Sequence, residues 1–400
     1  MTLEQRPSGR HRGAVLQVGA PVGAHRAPSR PALPPLPDPG PARSRLYELD
    51  LLRWIAALAV LAYHFAGGDR PMWNGDAREI FPELRPVAHF GYLGVDLFFL
   101  ISGFVILMSV WDRRPSDFVL GRVARLFPAY WFAVSLALFV HVGTDHSAGQ
   151  EAAAPIGTLE RFLPNMTLLQ QGVGVPHMES AYWVLWVELH FYALIALFAW
   201  RGVGYRRSLW FMGGWLLLSV FAKEADEPFL KAVLIADWAP WFIAGMAFCL
   251  IHRFGSNLVL WLLVGFCYAL GCYYRADSVR APERWPDVHE WAVPLVVTLI
   301  FVVMALAALG RLGFVRWRGL AVLGGMSYPL YLVHETVARP IVAELRISLD
   351  PWAVLGIAVA ASLAIACLVH LLIERPLTGA LSAALHRAVR QIRADGADAR

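Results

Sequence analysis

The stretch LDLLRWIAALAVLAYHF (residues 49–65) decides how the chain folds, because it predicts a membrane helix with two basic side chains, Arg53 and His64. An ionisable group placed in hydrocarbon is costly and usually marks a functional site. At about 100° per residue the two residues return to within roughly 20° of the same face, with a rise of about 16 Å. They share one face of the helix but cannot touch, so a ligand that contacts both must be long and thin.

The composition predicts a polytopic membrane protein, because 58% of the 400 residues are hydrophobic and only 16% are charged. A net charge of +5 could indicate nucleic acid, but the arginines lie in the tails and in short loops between apolar runs. Positive-inside topology explains them better. We therefore expect membrane lipids as partners and no nucleic acid. The four cysteines fall inside apolar runs without metal-ligand spacing, so we expect no disulfide framework and no metal.

Three parts of the chain differ in composition. Residues 1–45 are rich in Pro, Arg and Gly and predict a disordered cytoplasmic tail. Residues 46–376 predict a transmembrane domain, and 377–400 a short basic cytoplasmic tail. The transmembrane part contains ten apolar runs, near residues 50–66, 91–110, 118–141, 182–200, 207–222, 232–251, 258–274, 291–309, 318–338 and 352–372.

These runs predict an all-α, polytopic membrane helix bundle of about ten transmembrane helices. The loops after the even-numbered runs carry arginines with few acids, and both tails are arginine-rich. The positive-inside rule then places both termini in the cytoplasm of a multi-pass plasma-membrane protein. The run near 232–251 is the weakest, because Asp237 and Pro240 interrupt its start.

With this topology, four runs bring polar groups to a similar depth in the outer part of the membrane. These groups are His64, Asp96, Glu188, His334 and Glu335. So many costly groups in one layer favour a functional site. Each also has a structural interpretation: helix packing for His64 and Glu188, a helix N-terminal charge for Asp96, and interfacial solvation for His334 and Glu335.

Arg122 and Arg125 lie at the predicted cytoplasmic side and share a helix face at i, i+3. Arginine suits bidentate phosphate contact, although topology anchoring explains the pair equally well. If arginines hold phosphates at the inner face, an extended arm could reach His64, and coenzyme A thioesters have that shape. His64 would then act as general base, with Glu188 or Asp96 orienting its ring.

The chain resembles the acyltransferase 3 family of integral membrane O-acyltransferases over roughly residues 46–376. The resemblance rests on several motifs in the expected order: Arg53-x10-His64, Gly94-Val95-Asp96 with Phe98-Phe99 and Ser102-Gly103-Phe104, Arg122 with Arg125 and Pro128, Trp186-Val187-Glu188 with Phe191-Tyr192, and Ser327-Tyr328-Pro329-Leu330-Tyr331-Leu332-Val333-His334. Val187 and Pro329 depart from the family pattern, but neither departure removes a reactive group.

The resemblance implies transfer of an acyl group, commonly acetyl, from acyl-CoA to a hydroxyl of a carbohydrate or glycosylated acceptor. It implies that His64 is the catalytic histidine and that Arg53, Arg122 and Arg125 belong to the donor site. We assign five further residues to substrate binding: Ser102, Tyr328, Tyr331, His334 and Glu335.

Other function classes fit the same polar residues. A multi-pass transporter or exporter of a small molecule also places His, Asp and Glu inside the membrane. A membrane scaffold is a third interpretation, which the polar layer disfavours. The acceptor, the acyl chain length and the choice between a monomer and a homo-oligomer stay open at this point.

Overall fold

The computed structural model describes residues 45–68, 72–73, 75, 77–111, 113–145, 155–279 and 291–398. All regular elements in these ranges are helices, which confirms the predicted all-α fold. The predicted disordered tail lies outside the described residues except for its last residue, Arg45.

Fifteen α-helices lie within the described ranges. In chain order they are α1 (Tyr47–Ala62), α2 (Ala77–Ile80), α3 (Arg85–Ala88), α4 (Gly94–Val110), α5 (Pro115–Asp145), α6 (Pro155–Thr167), α7 (Trp183–Trp200), α8 (Tyr205–Glu224), α9 (Pro228–Val233), α10 (Ala239–Phe254), α11 (Leu258–Val279), α12 (Ala292–Ala308), α13 (Leu320–Leu345), α14 (Pro351–Val369) and α15 (Arg375–Asp398). The π-helical turn Tyr63–Gly67 extends α1, and the π-helical turn His370–Glu374 joins α14 to α15.

Each of the ten predicted apolar runs falls on one of the longer helices, so the membrane helix bundle is confirmed. Six helical segments among the described residues are long and apolar enough to cross a membrane: Tyr47–Gly67, Arg85–Val110, Pro115–Gly143, Ser180–Trp200, Leu258–Ala276 and Pro351–Ile392. Two shorter apolar helices are Ala239–Phe254 and Ala292–Ala308. The count of ten crossings and the cytoplasmic position of both termini stay predictions.

Two helix starts follow from local sequence chemistry. Asp350 caps α14, where its carboxylate accepts hydrogen bonds from the backbone N–H of Trp352 at 2.9 Å and of Ala353 at 3.3 Å. The weakest predicted run begins its helix at Ala239, after Asp237, and Pro240 lies in the first turn of α10. Proline is tolerated there because the first turn has no intrahelical acceptor for its missing N–H.

Glycines let α4 pack closely against α10 at the centre of the bundle. A Cβ on Gly103 would lie 2.1 Å from the carbonyl oxygen of Phe242, and a Cβ on Gly245 would lie 2.0 Å from that of Leu100. Small residues permit this backbone approach between membrane helices. The close contact fixes α4, which carries Phe98 and Ser102, against the buried helix α10.

The first helix packs between α4 and α13. Its contact with the start of α4 and with the turn before it is also made by glycines. A Cβ on Gly91 would lie 2.0 Å from the carbonyl oxygen of Ala59, and one on Gly94 would lie 2.7 Å from that of Ala56. These contacts hold the C-terminal half of α1 against the start of α4.

Candidate active site

A cavity lies between α1, α4, α5, α7 and α13. Three arginines and one glutamate are its charged lining residues: Arg53, Arg122, Arg125 and Glu188. They leave the wall with a net charge of +2 (three positive, one negative). Such a wall favours an anionic ligand, and guanidinium groups are well matched to phosphate oxygens.

Hydrogen bonds and ring contacts hold the charged side chains of this cavity. Glu188 accepts hydrogen bonds from the hydroxyl of Ser102, at 3.2 Å, and from the hydroxyl of Tyr192. The guanidinium carbon of Arg122 lies 5.6 Å from the ring centroid of Phe118 and 5.9 Å from that of Tyr192. These contacts restrict the arginine and the glutamate in their positions on the cavity wall.

The arginine on the first helix has a carboxylate neighbour outside the lining. Nη1 of Arg53 lies 3.8 Å from Oδ1 of Asp50, one turn earlier on α1. Asp50 also accepts a hydrogen bond at 2.7 Å from Nε of Arg45. Two carboxylates, those of Asp50 and Glu188, therefore balance part of the arginine charge.

His64 lies in the π-helical turn that follows the C-terminal end of α1, in contact with two residues of α13. Its Nδ1 lies 2.7 Å from Nε2 of His334, and its Nε2 lies 3.4 Å from Oε1 of Glu335. The planes of the two imidazole rings are inclined by 29°, and their centroids lie 4.9 Å apart. A π-helical turn changes the direction of a side chain within a helix and is frequent at functional sites.

The carboxylate of Glu335 is held from its far side by a polar network. Ser180 donates to both carboxylate oxygens, at 3.0 and 2.7 Å, and Arg339 Nη2 donates to Oε2 at 3.1 Å. Arg339 Nη1 also lies 3.2 Å from Glu179, which accepts a hydrogen bond from Thr336 at 2.9 Å. Burial raises the pKa of Glu179 from its ordinary value, and Arg339 opposes this shift. The network fixes Glu335 beside the histidine.

His64, His334 and Glu335 also offer three ligand atoms within 4.8 Å of one another, as a metal site would. The two histidine nitrogens, however, are 2.7 Å apart. Ligands of a tetrahedral zinc ion lie about 3.3 Å apart, as follows from zinc–nitrogen distances of about 2.0–2.1 Å. The observed distance is that of a hydrogen bond between the two rings.

The structure divides the residues that the sequence selected into two groups. Ser102, Tyr328 and Tyr331 line the arginine cavity together with Arg53, Arg122, Arg125 and Glu188. His334 and Glu335 contact His64. Among the described residues, those lining the cavity do not include His64. The two groups are therefore separate, one around Arg53 and the other around His64.

Asp96 and Glu188 have partners other than the histidine that the sequence analysis gave them. Asp96 is fully buried and forms a two-point ion pair with Arg275, whose Nε lies 2.7 Å from Oδ2. Glu188 lies in the arginine cavity. The carboxylate in contact with His64 is that of Glu335, which the sequence analysis assigned to substrate binding.

Three residues of these networks were not predicted from the sequence: Arg275, Ser180 and Arg339. Arg275 follows an apolar run directly, and an arginine at that place could have been matched with Asp96 as an opposite charge. Ser180 and Arg339 carry no comparable signal, because a serine in a loop and an arginine near a helix end are common.

Comparison with known proteins adds a direct finding. The model of the acyltransferase domain family matches residues 46–371. The chain belongs to the acyltransferase 3 family. Acyltransferase MdmB from Streptomyces mycarofaciens is 27% identical over 327 residues, which are 74% of this chain and 79% of that protein. Exopolysaccharide production protein ExoZ from Rhizobium meliloti is 29% identical over 311 residues, 72% of this chain and 89% of that protein.

A more distant relative of this acyltransferase is peptidoglycan O-acetyltransferase OatA from Listeria monocytogenes. It is 25% identical over 166 residues, which are 38% of this chain and 24% of that protein. No solved structure matches the chain. The family assignment confirms the predicted resemblance and makes the chain an enzyme, so the transporter and scaffold interpretations are set aside.

Two aromatic rings of this acyltransferase lie at the end of the arginine cavity nearest to the histidines. Phe98 and Tyr331 both line the cavity, with their ring centroids 6.0 Å apart. The ring of Tyr331 also lies 6.0 Å from that of His334, and its hydroxyl donates to the carbonyl of Ala181 at 2.8 Å. Tyr331 therefore neighbours both the cavity and the histidine pair, and we call Phe98 and Tyr331 together the aromatic wall of the cavity.

Proposed function

We propose that this enzyme transfers an acyl group from acyl-CoA to a hydroxyl of a carbohydrate or glycosylated acceptor, with His64 as general base. One observation carries the proposal: α1 places Arg53 in a cavity lined by three arginines and, eleven residues later, places His64 beside Glu335. The chain thus offers an anion site and a base along one helix and its π-helical extension.

The arginine cavity supports acyl-CoA as the donor. Arg53, Arg122 and Arg125 would bind its phosphate groups, because guanidinium groups form bidentate, charge-assisted hydrogen bonds with phosphate. The pantetheine arm would follow α1 over the rise of about 16 Å that separates eleven helical residues. The thioester would then reach the aromatic wall of Phe98 and Tyr331, next to the histidines.

The chemistry at His64 is a direct transfer. The imidazole takes the proton of the acceptor hydroxyl while the acceptor oxygen attacks the thioester carbonyl carbon. The carbon–sulfur bond of the resulting intermediate then breaks, and the imidazolium returns the proton to the leaving thiolate. The products are the acyl ester and free coenzyme A. Glu335 stabilises the imidazolium that exists between the two proton transfers, because its carboxylate lies 3.4 Å from Nε2 of that ring.

The names of the relatives support a carbohydrate acceptor and an acetyl donor. One relative is a peptidoglycan O-acetyltransferase and another is an exopolysaccharide production protein. We infer an acceptor of the same chemical class for this chain, with acetyl-CoA as its donor. The predicted topology, with both termini in the cytoplasm, places the arginines at the cytoplasmic side of the plasma membrane, where acyl-CoA is present.

The proposal is tested with the purified full-length protein in proteoliposomes, radiolabelled acetyl-CoA and a panel of soluble and lipid-linked glycans. We expect wild-type protein to place label on an acceptor and the His64→Ala variant to place none. His190→Ala is the matched control, because His190 is also a helix histidine but bonds to the carbonyl of Trp186 on its own helix. Transfer at the wild-type rate by His64→Ala would remove the proposed base.

A further inference from the structure

The hydrogen bonds of His334 determine which of its nitrogens carries the proton. Its Nδ1 lies 2.8 Å from the carbonyl oxygen of Tyr331 and 3.1 Å from that of Leu330. A carbonyl oxygen can only accept a hydrogen bond, so Nδ1 must carry a hydrogen. In the neutral ring the other nitrogen, Nε2, is then an acceptor.

Burial disfavours the charged form of His334. The side chain is only 1% exposed, and a second proton would place a charge in the protein interior. Glu335, the carboxylate next to it in sequence, is already bonded to Ser180 and Arg339 and faces His64. Nε2 of His334 therefore accepts the 2.7 Å hydrogen bond that joins the two rings.

The same bond fixes the tautomer of His64. Because Nε2 of His334 accepts, Nδ1 of His64 must donate and must carry a hydrogen in both the neutral and the charged ring. The proton that His64 gains and loses as a base is then the one at Nε2, the nitrogen that lies 3.4 Å from Glu335. In the imidazolium both nitrogens have an acceptor, one on His334 and one on Glu335.

We propose that His334 is a positioning residue that sets the tautomer of the catalytic histidine. Two main-chain carbonyls of α13 fix the tautomer of His334, and the hydrogen bond between the two rings then fixes the tautomer of His64. This proposal rests on the proposed function of His64 as the base. It gives His334 a part in the rate of transfer and none in substrate binding, which differs from the assignment made from the sequence.

Two substitutions at His334 form a matched pair. His334→Leu removes the acceptor and keeps an apolar side chain of similar bulk, whereas His334→Gln places an amide oxygen near the position of Nε2. We expect His334→Leu to lower kcat about 100-fold, the lower range for loss of general-base catalysis. We expect His334→Gln to recover most of this loss. KM for acyl-CoA should not change in either variant, since the arginine cavity is separate.

A second measurement does not depend on the folding of a variant. Nitrogen-15 chemical shifts of histidine-labelled wild-type protein distinguish the two neutral tautomers of His64, assigned by comparison with His64→Ala. We expect the hydrogen at Nδ1. A neutral His64 with its hydrogen at Nε2 would overturn the proposal, as would His334→Leu with wild-type kcat. If His64→Ala itself keeps its activity, the proposed function fails; if only the His334 results fail, the function stands and this inference does not.

Discussion

The buried pair of Asp96 and Arg275 gives a test that separates a structural role from a catalytic one. Asp96 is fully buried, and the side chain of Arg275 is only 14% exposed. The guanidinium carbon of Arg275 lies 4.4 Å from the ring centroid of Trp238, which covers one of its faces. We consider the substitution Asp96→Asn, which keeps the shape of the side chain and removes its charge.

The expected loss of stability follows from the charge that remains. Asp96→Asn leaves the Arg275 guanidinium buried without a carboxylate, and breaking a buried pair in this way lowers the free energy of unfolding by about 3–5 kcal/mol. The double variant Asp96→Asn/Arg275→Gln replaces the ion pair with a pair of neutral amides. Since no charge is left unpaired, its loss should be about 1 kcal/mol, the value of an ordinary hydrogen bond.

The assay is reversible unfolding in mixed micelles with increasing sodium dodecyl sulfate, applied to both single variants and the double variant. Acyl transfer is measured on the same preparations below the unfolding transition. We expect the double variant to be more stable than either single variant and to transfer acyl groups at a rate near that of wild type. An Asp96→Asn variant as stable as wild type but unable to transfer the acyl group would contradict a structural role, because Asp96 would then act in the chemistry.

Three further predictions follow from the described contacts. Glu335→Gln should lower kcat at least 10-fold with little change in KM for acyl-CoA, because it removes the charge that stabilises the imidazolium; steady-state kinetics at saturating acceptor measure this. Arg122→Gln should raise KM for acyl-CoA about 10-fold, the effect of losing one charge-assisted hydrogen bond, and the exposed Arg113→Gln should leave it unchanged in the same titration. Gly91→Ala should lower the free energy of unfolding by about 1–3 kcal/mol, since the new Cβ would meet the carbonyl oxygen of Ala59, and a wild-type unfolding curve would contradict this.

The sequence predicts the helices well because the bilayer sets a length that an apolar run must match. It also predicts the arginine group, since Arg122 and Arg125 share a face of one helix and Arg53 lies near the same predicted depth. Both inferences need only the periodicity of a single helix and the order of the helices along the chain. The structure gathers these three arginines around one cavity.

The partners of the carboxylates could not be predicted in the same way. Depth placed Asp96, Glu188 and Glu335 in one layer, but depth does not say which helices are neighbours or which way a side chain points around its helix. Packing decides that: α1 lies against α13, so Glu335 reaches His64. The π-helical turn at Tyr63–Gly67 also changes the direction of His64, and apolar periodicity gives no sign of it.

Carrying Arg53 and His64 on one continuous helix has a consequence for the choice of donor. With Arg53 in the proposed anion site and His64 as the proposed base, the helix fixes the distance between them, so we expect the enzyme to select its donor by the reach of the carrier as well as by its acyl group. Acetyl phosphate and acetylated cysteamine present the same acetyl group on carriers too short to engage both ends at once. We expect both to be poor substrates, even at concentrations that saturate the enzyme with acetyl-CoA.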